Sequence, residues 1–352
     1  MKFAVIFVAA LLLTAGCHTN SAAKYRPGQY FGSFIKMNFI SVDHLGKHQS
    51  KNGVPEKNGM VYTGRGGFID IGHLRESADR TKYISELAYE NLLKNKTQFS
   101  FRVVEPANFF VSIQYPRNWD SLADKEKITK DVSISIGQYC AQATTVWHEI
   151  ITWFGYKSSG IFSENISSFS WEDPYSDLLG TILAAQALKD SVQKYDDAIT
   201  KLIHDELINL GAQPPAVGEQ AMEKIRGKWF KGEYYFFVTM NKRNFDIGLD
   251  DGFITPWLIE GVCPDCEPLP KPVPNLDSLT EYGFLVKLEI EPREHEKGKI
   301  LAIIYPQGQG GRIEPAVHFT PIMKHIKNEA IAKSGPEVDV PVKERETIVG
   351  KP

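Results

Sequence analysis

The stretch that most limits what this chain can become runs from Ser133 to Phe154, SISIGQYCAQATTVWHEIITWF, where Glu149 is the only formally charged residue. Such a run reads as a helix buried nearly all round. On it Cys140, Thr144, His148 and Thr152 share one face at intervals of four, while Trp147, Ile150, Ile151 and Phe154 supply apolar bulk elsewhere. An unpaired buried polar group costs about 1–3 kcal/mol, so the stripe has to face polar partners brought in by other segments.

Around that helix the sequence predicts an α+β fold, a helical middle region with a β-rich C-terminal part. Gln29 to Val42 is aromatic and partly alternating, as an extended segment would be, and it leads into a loop at Gly46 to Gly59. The spacing of Leu74, Ala78, Tyr83, Leu87, Leu92 and Leu93 predicts a helix. Phe101 to Val104 and Phe109 to Tyr115 read as a strand pair. Further helices are expected from Asp173-Pro174 to about Leu188 and from about Asp190 to Leu210, where Gly-Ala-Gln-Pro-Pro is a stop signal. In the last third, Tyr234–Met240, Phe253–Ile259, Phe284–Ile290 and Ile300–Tyr305 read as strands, the final two joined as a hairpin by EPREHEKGK. No fixed-period repeat is visible; a single domain is expected over 29–335, with an internal boundary allowed near 212–228 and an extended tail at 336–352.

The N-terminus carries an address. Lys2 precedes an apolar run from Phe3 to Leu13, followed by small residues and a cysteine, which is the pattern of a signal peptide over 1–16. The run is shorter than the roughly 20 apolar residues a membrane span needs. Leu13-Thr14-Ala15-Gly16-Cys17 resembles a bacterial lipobox, in which the cysteine, here Cys17, is acylated and becomes the new N-terminus. By that resemblance His18, where an aspartate would signal inner-membrane retention, implies the outer membrane facing the periplasm. The small polar residues that follow make 17–28 a flexible tether. The membrane is thus an expected partner, held through N-terminal acyl chains. Nucleic acid is not expected, because the formal charge is only −3 and no basic block is present.

Cys263 and Cys266 in VCPDC are expected to form a local disulfide in an oxidising compartment, with two free thiols or a redox or metal role as alternatives. Cys140, alone in an apolar context, reads as core.

Three stretches carry candidate chemistry. In TTVWHEIITWFG the His148-Glu149 pair begins a zincin-like His-Glu-x-x-His motif, but Thr152 stands where the second histidine belongs. In GGFIDIGHLRESADRT, Asp70 and His73 lie three apart; Asp70 also suits a helix cap, and Arg75 with Asp79 a surface ion pair. SENISSFSWEDPYSDLLGT brings serines together with Glu164, Glu172, Asp173 and Asp177; Asp173 before Pro174 suits a helix start. His73, His148, Asp70 and Glu164 would make a mixed nitrogen and oxygen set for zinc or a similar divalent ion, with Glu149 as general base beside His148. The competing reading is a buried hydrogen-bonded network that fixes helix packing. His44 and His48 read as a solvated loop, and Asp246, Asp250 and Asp251 as a turn rather than a calcium loop.

The lipobox together with GGFIDIGHLR, WHEIITWFGY, FSENISSFSWEDPYSDLLGT and GLDDGFITPWL resembles a family of bacterial lipoproteins of unknown function, over most of the mature chain. The resemblance implies an anchored envelope protein and transfers no activity. Two readings follow: a lipoprotein with a metal-dependent hydrolytic pocket around His73, His148 and Glu149, or a non-enzymatic ligand-binding or envelope-assembly lipoprotein.

Overall fold

The computed structural model describes residues 23, 24, 26, 37–51, 56–157, 165–232 and 239–339. The signal peptide, Cys17, most of the tether, Glu164, residues 234–238 and nearly all of the C-terminal tail lie outside the described residues.

Strands β1 (Met60–Thr63) and β2 (Gly67–Asp70) form an antiparallel hairpin that runs straight into helix α1 (Ile71–Leu93). Asp70 has an extended backbone, and its Oδ1 accepts the N–H groups of Gly72 at 2.6 Å and His73 at 3.3 Å, which starts the helix by capping two of its orphan donors. β3 (Gln98–Phe101) and β4 (Ala107–Gln114) form a strand pair as expected, but β3 lies three residues earlier than Phe101–Val104 and shares only Phe101 with it; α2 (Lys125–Trp153) is the buried helix, extended about two turns at its N-terminus. α3 (Asp173–Lys189) and α4 (Tyr195–Asn209) follow, then α5 (Pro215–Ile225).

α1 packs against both α2 and α3, and the three make the centre of the molecule. The α1–α3 crossing is close: a Cβ on Gly180 would lie 2.1 Å from the Leu74 carbonyl oxygen, so only glycine lets the backbones approach this far. On one side, the core joins the end of α1 and the length of α2 to the sheet that β3 and β4 form with strand 285–292, and to the last helix. On the other, the start of α1 joins α3 and α4 around Leu74, Leu178, Ile199 and Ile203. No helix among the described residues is long and apolar enough to cross a membrane.

The fold is α+β, but the β-rich C-terminal part is only loosely right. β5 (Phe230–Lys231), β6 (Thr239–Met240), β7 (Phe253–Ile254) and β8 (Lys271–Pro272) are two residues each; β9 (Leu285–Pro292) alone is long, pairing with β4 so that Phe109 faces Ile290. Ile300–Tyr305, expected as a strand, lies almost wholly within α6 (Lys297–Ile304), so EPREHEKGK leads into a helix and not across a hairpin. A short aliphatic run has no period of its own, and this one packs through Ile300 alone of its fully buried residues. α7 (Pro315–Ser334) then covers α2.

Two surface expectations are overturned. Arg75 and Asp79 are buried: Arg75 donates to the carbonyls of Leu45, Gly46 and Lys57, while Asp79 takes Arg26 at 2.8 Å and His48 at 3.0 Å. His48 is therefore a core histidine, not part of a solvated loop, whereas His44 is exposed as expected. Within the stretch read as a tether, Arg26 is buried, with its guanidinium on Glu56 and Asp79 and its backbone N–H on Glu76.

Candidate functional site

α1 presents His73, Glu76, Ser77 and Arg80 at helical intervals of three and four, so all four lie along one face, toward α2 and α3. From α3 come Asp173 and Asp177, again four apart. His73 Nδ1 lies 2.6 Å from Asp173 Oδ1, and the other oxygen of that carboxylate accepts the Ser170 hydroxyl at 2.7 Å. Ser77 Oγ donates to Asp177 Oδ1 at 2.6 Å.

Arg80 is the hub of the second half. Its Nη2 donates to Glu76 at 2.5 Å and to Glu105 at 2.8 Å, and Nη1 reaches Thr144 at 3.4 Å. Glu105 stands in the β3–β4 connection and also lies 3.2 Å from His148 Nδ1 on α2. Both histidines thus have Nδ1 against a carboxylate, which fixes ring orientation. Their side chains are 28% and 36% exposed, whereas Asp173 and Glu105 are almost wholly covered, so within each pair it is the ring that meets solvent.

Glu149, the next residue on α2, turns inward and accepts the backbone N–H of Phe169. Phe169 has φ +55, a rare conformation for an aromatic residue; its carbonyl takes the Asn244 amide and its ring is fully buried. Arg243 braces the same turn, donating to the carbonyl and hydroxyl of Ser168.

The charges are pushed apart. Burial disfavours the His73 cation, but the carboxylates of Asp173 and Asp70 outweigh it and hold its pKa well above the imidazole range. Burial likewise opposes ionisation of Glu105, yet Arg80 and then His148 pull it down to about 2. For Glu149, burial and the nearby Asp173 charge push the carboxyl up to about 8; for Asp177, burial raises it to about 7 against the pull of His73. Burial, with the charge of neighbouring Asp173, also raises the Glu172 carboxyl well above its ordinary range. Glu149 was expected to be a base; in this environment it carries a proton at neutral pH and supports the 165–170 turn.

The expected metal set is not assembled: among the described residues no group of three or more His, Cys, Asp and Glu could hold a metal ion. Asp70 caps α1, His73 pairs with Asp173, His148 with Glu105, and Glu164 lies outside the described residues. What the folding does bring together is His73, Asp177, His148 and Glu149, with Asp173 as the partner of His73 in place of its expected capping role; α3 has no side-chain cap. Glu105, Arg80 and Glu76 had no motif to reveal them. Their one signal is Glu76 and Arg80 four apart on a helix face that also carries His73. Cys263 and Cys266 are disulfide-bonded, and Cys140 is buried in the core.

A family described as a protein of unknown function, DUF4056, matches residues 33–250. The chain belongs to the DUF4056 family. The matched region takes in every residue of the cluster from His73 to Arg243, while β9, α6, α7 and the disulfide lie beyond it. The cluster is therefore housed wholly by the DUF4056 part of the chain. No curated protein and no solved structure matches this sequence.

Proposed function

We propose that this DUF4056 protein is a bacterial envelope lipoprotein, anchored through acylated Cys17 at the outer membrane and facing the periplasm, whose helical centre is a hydrolytic acid–base site. One observation carries the catalytic part: two histidines, each with Nδ1 against a buried carboxylate, reach solvent at the edge of a largely buried polar cluster. Two imidazoles set beside carboxylates supply the proton acceptor and donor that acid–base hydrolysis requires. His148, oriented by Glu105, takes a proton from the attacking water. His73, kept as imidazolium by Asp173, gives its proton to the leaving group. Protonated Glu149 holds the Phe169 turn and with it Ser170, which steadies Asp173.

The test uses the mature chain with a panel of chromogenic esters, amides and phosphoesters, with His148→Ala and Asp173→Asn alongside and metal content measured by elemental analysis. Loss of roughly 100-fold or more in kcat in both variants, with folding intact, is expected. Turnover that survives both substitutions would sink the assignment, and one equivalent of zinc lost on replacing either histidine would replace it with a metal-dependent mechanism. Mass spectrometry of the N-terminal peptide tests the anchor; an unacylated Cys17 in the membrane fraction refutes it.

A further inference from the structure

We infer that the Cys263–Cys266 disulfide is a positioning device for the hairpin that delivers His73, releasable by a dithiol reductant. This rests on the proposed site only in taking His73 as the group positioned. The disulfide sits in an exposed turn, with Pro264 and Asp265 exposed and both cysteines half-buried, so a reductant can reach it.

Its sulfurs lie against the turn between β1 and β2. A Cβ on Gly64 would be 2.6 Å from Cys266 Sγ and 3.3 Å from Cys263 Sγ. The surrounding loop, from Trp257 to Leu269, touches the hairpin at three more places. Ile259 N–H donates to the Tyr62 hydroxyl at 3.0 Å, and Leu269 N–H donates to the Arg65 carbonyl at 2.9 Å. At Gly67, where φ is +64, a Cβ would lie 2.2 Å from the Trp257 carbonyl oxygen, so loop and strand backbones are in contact. Three residues after Gly67 comes Asp70, the cap of α1, and three after that His73.

The same loop also holds the other half of the pair. Tyr175 donates its hydroxyl to the Leu269 carbonyl at 2.6 Å, and Tyr175 lies on α3 between Asp173 and Asp177. One loop therefore braces the element that carries His73 and the element that carries Asp173, with the disulfide stapling its middle.

In the release step a thiolate of the dithiol attacks one sulfur to give a mixed disulfide; its second thiolate then displaces the protein sulfur. Cys263 and Cys266 become thiols, and the reductant leaves as its own disulfide.

Hydrogen exchange measured by mass spectrometry on the mature chain, oxidised and then reduced with dithiothreitol, tests this, with the double variant Cys263→Ser and Cys266→Ser alongside. The amides of Gly64, Arg65, Ile259 and Leu269 are expected to exchange roughly tenfold faster in both, with the change spreading to Gly72 and His73. The Ala141–Ile151 part of α2 serves as the unaffected reference, and reoxidation restores the wild-type pattern. Changes confined to Gly261–Glu267 would reduce the disulfide to a local clasp and overturn the inference. Loss of protection through α2 as well would make it a global stabiliser, which also overturns it. None of these readouts depends on turnover, so failure of the hydrolase reading would leave this result standing.

Discussion

Replacing Arg80 with leucine removes the one guanidinium that neutralises two buried carboxylates. The Arg80 side chain is 7% exposed, Glu76 8% and Glu105 1%, so neither acid can turn to water when its partner is gone. Breaking a buried ion pair from one side costs about 3–5 kcal/mol. The Glu105 pKa gives an independent figure: a shift from 4.5 to about 2, with Arg80 its largest favourable cause, corresponds to about 3 kcal/mol. Because its folded pKa is depressed, Glu105 adds stability that is complete above about pH 4.5 and disappears as pH falls through about 2. In Arg80→Leu most of that contribution is missing, and the two carboxylates, left with only His148 beside Glu105 and the Arg26 N–H on Glu76, must be buried charged or take up protons. Urea unfolding at pH 5, 6, 7 and 8 should therefore show a deficit of about 3–5 kcal/mol near pH 7 that shrinks toward pH 5. Arg80→Lys, which keeps the charge but not the fork that reaches both acids, should recover part of it. A deficit under about 1 kcal/mol, or one that does not change with pH, would refute the hub role.

Glu149→Gln should gain on the wild type as pH rises. The folded carboxyl keeps its proton to about pH 8 where an unfolded one loses it near 4.5, so wild-type stability falls across that window, while the glutamine keeps an oxygen for Phe169 N–H. Parallel stability curves from pH 5 to 9 would contradict this. Gly180→Ala should destabilise by about 1–3 kcal/mol, since its Cβ would press on the Leu74 carbonyl at 2.1 Å and force α3 off α1; thermal unfolding decides, and an unchanged Tm would mean that the crossing has slack. Glu76→Gln should loosen Arg26, whose backbone N–H is 2.8 Å from Glu76 Oε2, and hasten cleavage by trypsin after Lys24, since the bond after Arg26 leads into Pro27 and resists trypsin; unchanged cleavage would show the contact to be dispensable.

The central helices were legible because their apolar spacing is long and regular: α1, α2 and α3 lie where Leu74 to Leu93, Ser133 to Phe154 and Asp173-Pro174 place them. α5 was not, because Pro214-Pro215 reads equally as the end of one helix and the first turn of the next. His73, His148 and Glu149 were visible as polar residues in apolar surroundings, and the fold brings them to one cluster. Their partners were hidden by distance along the chain: Asp173 is 100 residues from His73, and Glu105 stands 25 residues from Arg80 in a turn with no motif. The same cause misplaced Arg75, Asp79 and His48, whose burial depends on Arg26 and on carbonyls of a loop that local pattern marks only as polar.

Arg26 has a consequence for how the molecule can sit in an envelope. It is pinned to Glu76 and Asp79 on α1, the helix that carries His73, and it lies only nine positions after Cys17. Fully drawn out, that leash spans about 32 Å, while a chain of this size has a radius of gyration of about 20 Å. If Cys17 carries the acyl chains proposed above, that leash is shorter than the body it holds, because such a radius of gyration corresponds to a compact body about 50 Å across. A body so held would keep the side around Arg26 toward the lipid, and that side is bonded to α1, the helix that begins beside His73.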